Sequence, residues 1–373
     1  IGTAVLGGVS LTNGGTADMF IAKYDPLGTA LWARQIGAHD VNYGNPFGLA
    51  VDNAGNCLIS SRYQGVANLG TLSVSNGSAF LAKYDNAGTL VWALEGPEAN
   101  AIAVGTNGAI YATGNGFLAK YDGQGSLVWS NAFPNGRAIA LDGAQNLLVT
   151  GNGAPGSYGG FALTNTGGFT DLFVAKCDPS GAVLWLKQAG SVKQQAGLGI
   201  ARDEFDNVYV TAASATKNAD PALTFGAVTL SNVMSFVAKY DAAGNGLWAK
   251  ALGTTNWAVG WGIGVAPTEQ VYLCGSFQGT AVLGNFVLAE DPPSIGSAFV
   301  AKLDGSEPRP MLNLAKAGNQ VQLDVTGGAG FRYAVQTSSN LLDWSGVTTN
   351  VAPFGFLDDG GVSARFYRAV FVP

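Results

Sequence analysis

Short apolar runs of four to six residues recur along the first 304 positions, separated by clusters of Gly, Asn and Asp. The runs are rich in β-branched and aromatic residues, and no 3.6-residue period persists, so the pattern predicts strands and few helices. The cleanest unit comprises residues 199–203, 208–211, 236–241 and 247–250, here called strands a, b, c and d. Strand a recurs at 48–52, 101–105, 138–142 and 262–266, and strand b at 57–60, 110–114, 147–151 and 271–275. Strand c carries Ala-Lys-x-Asp six times, with its lysine at Lys23, Lys83, Lys120, Lys176, Lys239 and Lys302. A tryptophan follows the Asp by seven residues in the first five copies: Trp32, Trp92, Trp129, Trp185 and Trp248. Units of four short strands at spacings of 37 to 63 residues predict an all-β fold, a β-propeller of six or seven four-stranded blades. The first blade is expected to be incomplete. Both faces of each blade would pack on neighbours, with the strand-d Trp as a wedge between them.

Loop lengths divide the two ends of such a blade. The a–b and c–d connections are tight and start with Asp, as at Asp25-Pro26-Leu27-Gly28, which is type I turn chemistry. The b–c and d–a connections vary, so a binding face is expected at that end. Aromatic residues there that are candidates for stacking on a ligand or anchoring a partner are Tyr43, Tyr63, Tyr158, Trp257 and Trp261. Residues 2–7 nearly repeat 279–284, which follow a strand pair, so sequence upstream of Ile1 is expected. The pattern stops at 305–310, where two prolines suggest a linker between a propeller at 1–304 and a tail at 311–373. The tail alternates more clearly and predicts a small β-sandwich.

The unit F-V-A-K-Y-D-x-x-G-x-x-x-W at 236–248, with G-I-A-x-D-x-x-x-N-V-Y-V-T at 199–211, resembles the bacterial SBBP-type β-propeller repeat and, more distantly, NHL repeats. The tail, with S-x-x-L-x-x-W at 338–344 and R-F-Y-R at 365–368, resembles fibronectin-III-like C-terminal modules of large secreted bacterial proteins. The resemblance implies a secreted or cell-surface protein. It implies no catalytic residues.

Composition narrows the partners. With 12% charged residues, a net charge of −6 and one lysine per repeat, the chain lacks the basic cluster that nucleic acid requires. No apolar run is long enough for a membrane-spanning helix, about 18–20 residues. The 54 glycines suit many tight turns. Cys57, Cys177 and Cys274 fall in strands and are expected to be small buried residues; spacing does not reveal whether any pair. His39, the one histidine, sits beside Asp40 in a d–a loop with no marked nucleophile, and solvation is its expected role. Asp203, Glu204 and Asp206 bring three carboxylates within four residues, the best weak site for Ca²⁺, although turn stabilisation is the stronger expectation. No other cofactor is expected. By alternation Lys239 and Asp241 share a side of their strand, which predicts a pairing between them or with a neighbouring blade. The combined expectation is a non-enzymatic extracellular scaffold with protein or matrix contacts on its long-loop face and a capacity for self-assembly. The alternatives are a carbohydrate-binding propeller and, after it, a polysaccharide-degrading enzyme.

Overall fold

The computed structural model describes residues 2–12, 18–38, 46–63, 65–75, 77–164, 170–190, 193–214, 223–225, 228–231, 233–252, 258–267, 270–283, 286–289, 296–304, 311–317, 320–327, 332–359 and 365–372. Among these residues every regular element is a strand. Four sheets contain strands a to d in that order and antiparallel: Pro46–Val51 to Leu90–Glu95, Ala99–Val104 to Leu127–Ala132, Asn135–Leu141 to Val183–Ala189, and Gln195–Arg202 to Gly246–Ala251. A further sheet has three strands, Ala258–Val265, Gln270–Phe277 and Ser297–Asp304. The first unit contributes Met19–Tyr24 and Ala30–Ala38, and the latter pairs with Ala67–Asn68 from the second unit's b–c connection. The inner strands contact one another in sequence: 46–51 with 99–104, then 135–141, 195–202 and 258–265. This is a β-propeller.

Alternation along each strand decides which neighbour a side chain meets. Phe236, Ala238 and Tyr240 pack toward the preceding sheet, in a cluster with Leu148, Val174 and Trp185. Val237 packs toward the following sheet, in a cluster with Tyr209, Trp248, Val271 and Phe299. Three more clusters fill the other gaps between consecutive sheets. Both faces of a sheet are thus apolar, as near-continuous hydrophobic runs require.

The strand-d tryptophans are wedges, as expected, and Trp32, Trp92, Trp129 and Trp185 each meet the c–d turn of the next sheet. The Trp32 indole N–H donates to the Asn86 carbonyl at 3.0 Å, that of Trp92 to Gly123 at 3.2 Å and that of Trp185 to Ala242 at 3.2 Å. The turn glycine lies flat against that indole. At Gly88, whose φ is +79°, a Cβ would stand 2.6 Å from the Trp32 ring. The turn itself is closed by its Asp: Asp85 Oδ1 accepts the Ala87 and Thr89 amides at 2.9 and 2.8 Å.

Residues 311–372 hold two three-stranded antiparallel sheets, one of Met311–Ala317, Gln320–Thr326 and Phe354–Asp358, the other of Arg332–Ser338, Ser345–Val351 and Phe366–Val372. Leu323, Val325, Tyr333, Val335 and Ala352 form their shared core.

Two expectations are corrected by this packing. Cys57 and Cys177 are buried free thiols, and burial pushes the Cys177 thiol up to about 12, but Cys274 is exposed. Among the described residues no sheet packs on its side of the last sheet. The Lys239 ammonium lies 3.8 Å from Asp203, on the a–b turn of its own sheet, a partner that alternation along strand c does not indicate. Lys83–Asp52 at 3.0 Å and Lys176–Asp142 at 2.7 Å repeat the arrangement. Asp241 instead closes the c–d turn by accepting the Ala243 and Asn245 amides.

Candidate functional site

Every inner strand is interrupted once. The register of strand a slips at Pro46/Gly48, Ala99/Ala101, Gly136/Ala138, Gly197/Gly199 and Gly260/Gly262. Each slip is a β-bulge, and the extra residues are Phe47, Asn100, Arg137, Leu198 and Trp261. A bulge re-aims a side chain out of the ladder. At Gly136 and Gly197 the preceding sheet leaves no room for a side chain: a Cβ on Gly136 would collide with Thr113 Oγ1, and one on Gly197 with Thr150 Oγ1.

Four of these bulge residues converge. Asn100, Arg137, Leu198 and Trp261 line a cavity of about 450 Å³, together with Arg62, Glu98, Asn115 and Asn135. Arg62 ends a strand b, and Asn115 sits in a b–c turn, so the cavity opens on the long-loop end of the inner strands.

The lining is polar and organised. Arg137 Nε donates to Asn152 Oδ1 at 2.9 Å, and Asn135 Nδ2 donates to the same oxygen at 3.1 Å. Asn100 Nδ2 donates to Asn135 Oδ1 at 3.1 Å and to the Gly136 carbonyl at 2.9 Å, and Asn152 Nδ2 donates to Thr170 Oγ1 at 3.1 Å. Arg62 forms an ion pair with Glu98 across the mouth. Trp261 Nε1 donates to Ser276 Oγ at 2.8 Å, which holds the half-exposed indole against the rim. Arg137 differs from Arg62: among the described residues no carboxylate pairs with it. Arg137 is exposed at the cavity, and the walls beside its guanidinium desolvate it enough to lower its pKa from the ordinary value. An exposed cation held by a neutral amide at a concave polar site has the geometry to pair with an anionic group through its paired N–H donors.

The aromatic residues singled out by sequence are dispersed. Tyr63 is buried, donates its hydroxyl to Glu95 Oε1 at 3.0 Å and accepts the Gly77 amide at 2.9 Å, so it pins its own loop. Burial first, and the Glu95 hydrogen bond with it, raises the Tyr63 pKa. Tyr158 packs on a small rim hairpin beside Leu163 and Phe173. Of the three that are described, only Trp261 lines the cavity; Tyr43 and Trp257 lie outside the described residues, as do His39 and Asp40. Asp203 accepts the Phe205 and Asn207 amides, the Asn207 side chain and the Tyr209 hydroxyl, and faces Lys239. Asp206 accepts the Gly143 amide at 2.9 Å and Arg202 at 3.1 Å. Those carboxylates therefore already face N–H, O–H and ammonium donors. Glu204 is exposed on the same turn.

Sequence reasoning missed Asn100, Arg137 and Leu198. The signal was present: a small-x-small triplet precedes or opens four of the five strands a, with its middle residue free to vary.

No family model matches the chain. The SBBP-type resemblance therefore rests on the repeat residues themselves. A stretch of 116 residues is 32% identical to an uncharacterized WD repeat-containing protein of Acanthamoeba polyphaga mimivirus, over 28% of this chain. That stretch spans 8% of the relative's length. Among solved structures, a gluconolactonase from Xanthomonas campestris aligns over 85% of this chain and 94% of its own, at 11% identity and a TM-score of 0.40. A second structure assigned to the gluconolactonases aligns over 77% and 87%, at 13% identity and a TM-score of 0.39. These names correct the expectation of a chain without enzymatic activity. Repeats that display no catalytic set do not make a propeller non-enzymatic, since reactive residues sit on its loops and inner-strand ends, outside the repeated core. What the chain shares with these proteins is the architecture: it is a β-propeller protein.

Proposed function

We propose that the chain is a propeller recognition domain that binds an acidic carbohydrate in the cavity formed by the inner-strand bulges. The observation that carries this reading is Arg137, a cation without a carboxylate partner among the described residues, held by Asn152 in a pocket of amides. The pattern matches what a uronic acid residue offers. Its carboxylate would face Arg137, its hydroxyls the Asn100, Asn115 and Asn135 amides, and its ring face the Trp261 indole. Amides and one aromatic wall at a concave site are the usual means of fixing such a ligand. An extracellular or cell-surface setting, the expectation drawn from the repeat resemblance, suits a matrix polysaccharide as the source. We read residues 1–304 as the binding domain and the tail beyond the 305–310 linker as a separate β-sandwich.

Isothermal titration with oligogalacturonate and with the matching neutral oligosaccharide tests this. The acidic ligand is expected to bind, and Arg137→Gln to weaken it by at least about tenfold, the loss of one charge-assisted pair of about 1.5–3 kcal/mol. Trp261→Ala should weaken it by a smaller factor. Equal affinity for the neutral ligand, or an unchanged constant in Arg137→Gln, would overturn the reading.

A further inference from the structure

The outer edge of the sheet at 99–132 differs from the outer edges of its neighbours. A two-residue turn, Asn115-Gly116, replaces its b–c hairpin. In the other three four-stranded sheets that hairpin touches strand d: 73–74 meets 90–95, 161–163 meets 183–189 and 228–230 meets 246–251. In two of them a strand-d side chain holds it. Glu95 Oε1 accepts the Ser75 amide at 2.7 Å, and Gln188 Oε1 accepts the Thr164 amide at 2.9 Å. Glu95 and Gln188 stand opposite the strand-c residues Phe80 and Phe173; opposite Phe117 stands Ala132.

Leu127–Ala132 is accordingly the most exposed of the described strands d. Leu127 and Val128 are 58% and 56% exposed, and Ser130, Asn131 and Ala132 are exposed as well. Among the described residues no strand pairs on its outer side. The Phe133 amide donates inward to the Gly116 carbonyl at 3.1 Å, so by alternation the N–H and C=O groups of Ser130 and Ala132 point out of the sheet. The first unit shows that the outer side of a strand d can take another strand: Gly37 and Ala38 pair there with Asn68 and Ala67.

Charge says which strand fits. Open edges are normally protected by charged side chains. Strand d carries Arg34, Glu95, Lys187 and Lys250 in the other units, but no charged residue lies between Asp122 and Arg137. Arg34, Lys187 and Lys250 stand opposite Ile21, Val174 and Val237 of strand c, the place that Asn131 takes opposite Leu118. A strand that pairs antiparallel with its own copy sets one residue opposite itself. Arg or Lys there would oppose like charges, which destabilises the pair. Asn131 uses one N–H on the Gly181 carbonyl at 3.3 Å, and its amide has a second N–H and an oxygen to offer an identical amide.

We propose that Leu127–Ala132 pairs antiparallel with the same strand of a second copy of this chain, about a two-fold axis at Asn131. Ser130 of each copy then exchanges backbone hydrogen bonds with Ala132 of the other, and two four-stranded sheets become one continuous sheet. The contact joins identical surfaces, so it closes at the dimer. It rests on one short strand, so it is weak and concentration-dependent. It does not depend on the cavity or its ligand.

Sedimentation velocity over a concentration series tests the pairing, with amide exchange at Ser130 and Ala132 as the local readout. The parent is expected to pass from monomer to dimer, and those two amides to slow with it. Ser130→Lys/Ala132→Lys and Ser130→Glu/Ala132→Glu each set like charges opposite one another, and each should raise the dimer dissociation constant at least about tenfold. Both replace exposed side chains, so circular dichroism melting should match the parent. An equimolar mixture of the two should recover the dimer, since Lys then faces Glu. A parent that stays monomeric, a dimer in which Ser130 and Ala132 exchange at the monomer rate, or a mixture no tighter than either variant alone would overturn the proposal. Protection of both amides at every concentration would mean that the edge is covered within one chain, and would overturn it as well.

Discussion

Asp142 closes its turn by accepting the Ala144 and Asn146 amides at 2.9 and 2.8 Å, and its other oxygen meets Asn146 Nδ2 and Lys176 Nζ at 2.8 and 2.7 Å. It is almost wholly buried, so removing it leaves a lysine and several N–H groups without their acceptor. Asp142→Ala is expected to cost about 3 kcal/mol, the scale for breaking a buried pair, read as a lower urea midpoint. Desolvation raises the Asp142 pKa, but the bonds from Lys176 and Asn146 outweigh it and hold the carboxyl below its model-compound value of 3.8. Asp52 follows the same pattern, with Asn56 and Lys83 offsetting desolvation. A depressed acid contributes stability that is full above the unfolded pKa and is lost as pH falls through the folded value. Urea midpoints should therefore drop below about pH 4, and the drop should be smaller in the Asp52→Asn/Asp142→Asn double variant. A parallel fall in both proteins would show that these two turns do not carry the acid sensitivity. Alternation within strand c pointed to Asp241 or a neighbouring blade as the lysine's partner. The true partner lies 36 residues earlier, Asp203 for Lys239, a distance that only the closing of the sheet reveals.

At the scale of the element, the c–d turn and the preceding tryptophan form one joint. Gly88→Ala adds a methyl 2.6 Å from the Trp32 ring at a backbone φ of +79°. Left-handed backbone and overpacking act together, and the expected loss is about 2 kcal/mol, measured by thermal or urea unfolding. Gly28→Ala is the control: its φ is +83°, with nothing within 4 Å of the new Cβ, so it carries the backbone penalty alone. Equal losses in the two variants would remove the Trp contact from the explanation. The four strands of a unit were legible because short runs of β-branched and aromatic residues, and the Asp–Gly turns between them, are local signals. The bulges were not. A template of short apolar runs absorbs one extra residue as noise, and the residues so hidden, Asn100, Arg137 and Leu198, face the cavity beside Trp261, which its aromatic side chain had already marked.

For the whole molecule, stability should follow a sheet's neighbours. The sheets at 99–132, 135–189 and 195–251 are each packed on both faces, whereas the first unit and the last sheet each have one open face. Linear arrays in which each unit touches only its neighbours open most readily at their ends. Amide exchange at Val174 and Val210 is expected to be at least about tenfold slower than at Phe20 and Val300 at low protein concentration. Uniform exchange throughout would mean that the array unfolds as one unit. The order of units along the chain was readable from the repeated lysine and tryptophan. The exposure of the last sheet was not, because Val300 and Val237 occupy identical motifs and differ only in what lies beside them.

One sheet differs from the rest at the rim. Small hairpins stand in the b–c connections at 67–74, 156–163, 223–230 and 280–289, but Ile110–Gly114 and Phe117–Tyr121 are joined by Asn115 and Gly116 alone. Asn115 lines the cavity, so the missing hairpin leaves a notch directly beside it. A cup with an unbroken wall accepts only the end of a long molecule. A cup with a notch lets a polymer lie across it, one residue seated and the remainder leaving sideways, so that interior positions of a chain are as accessible as its tips.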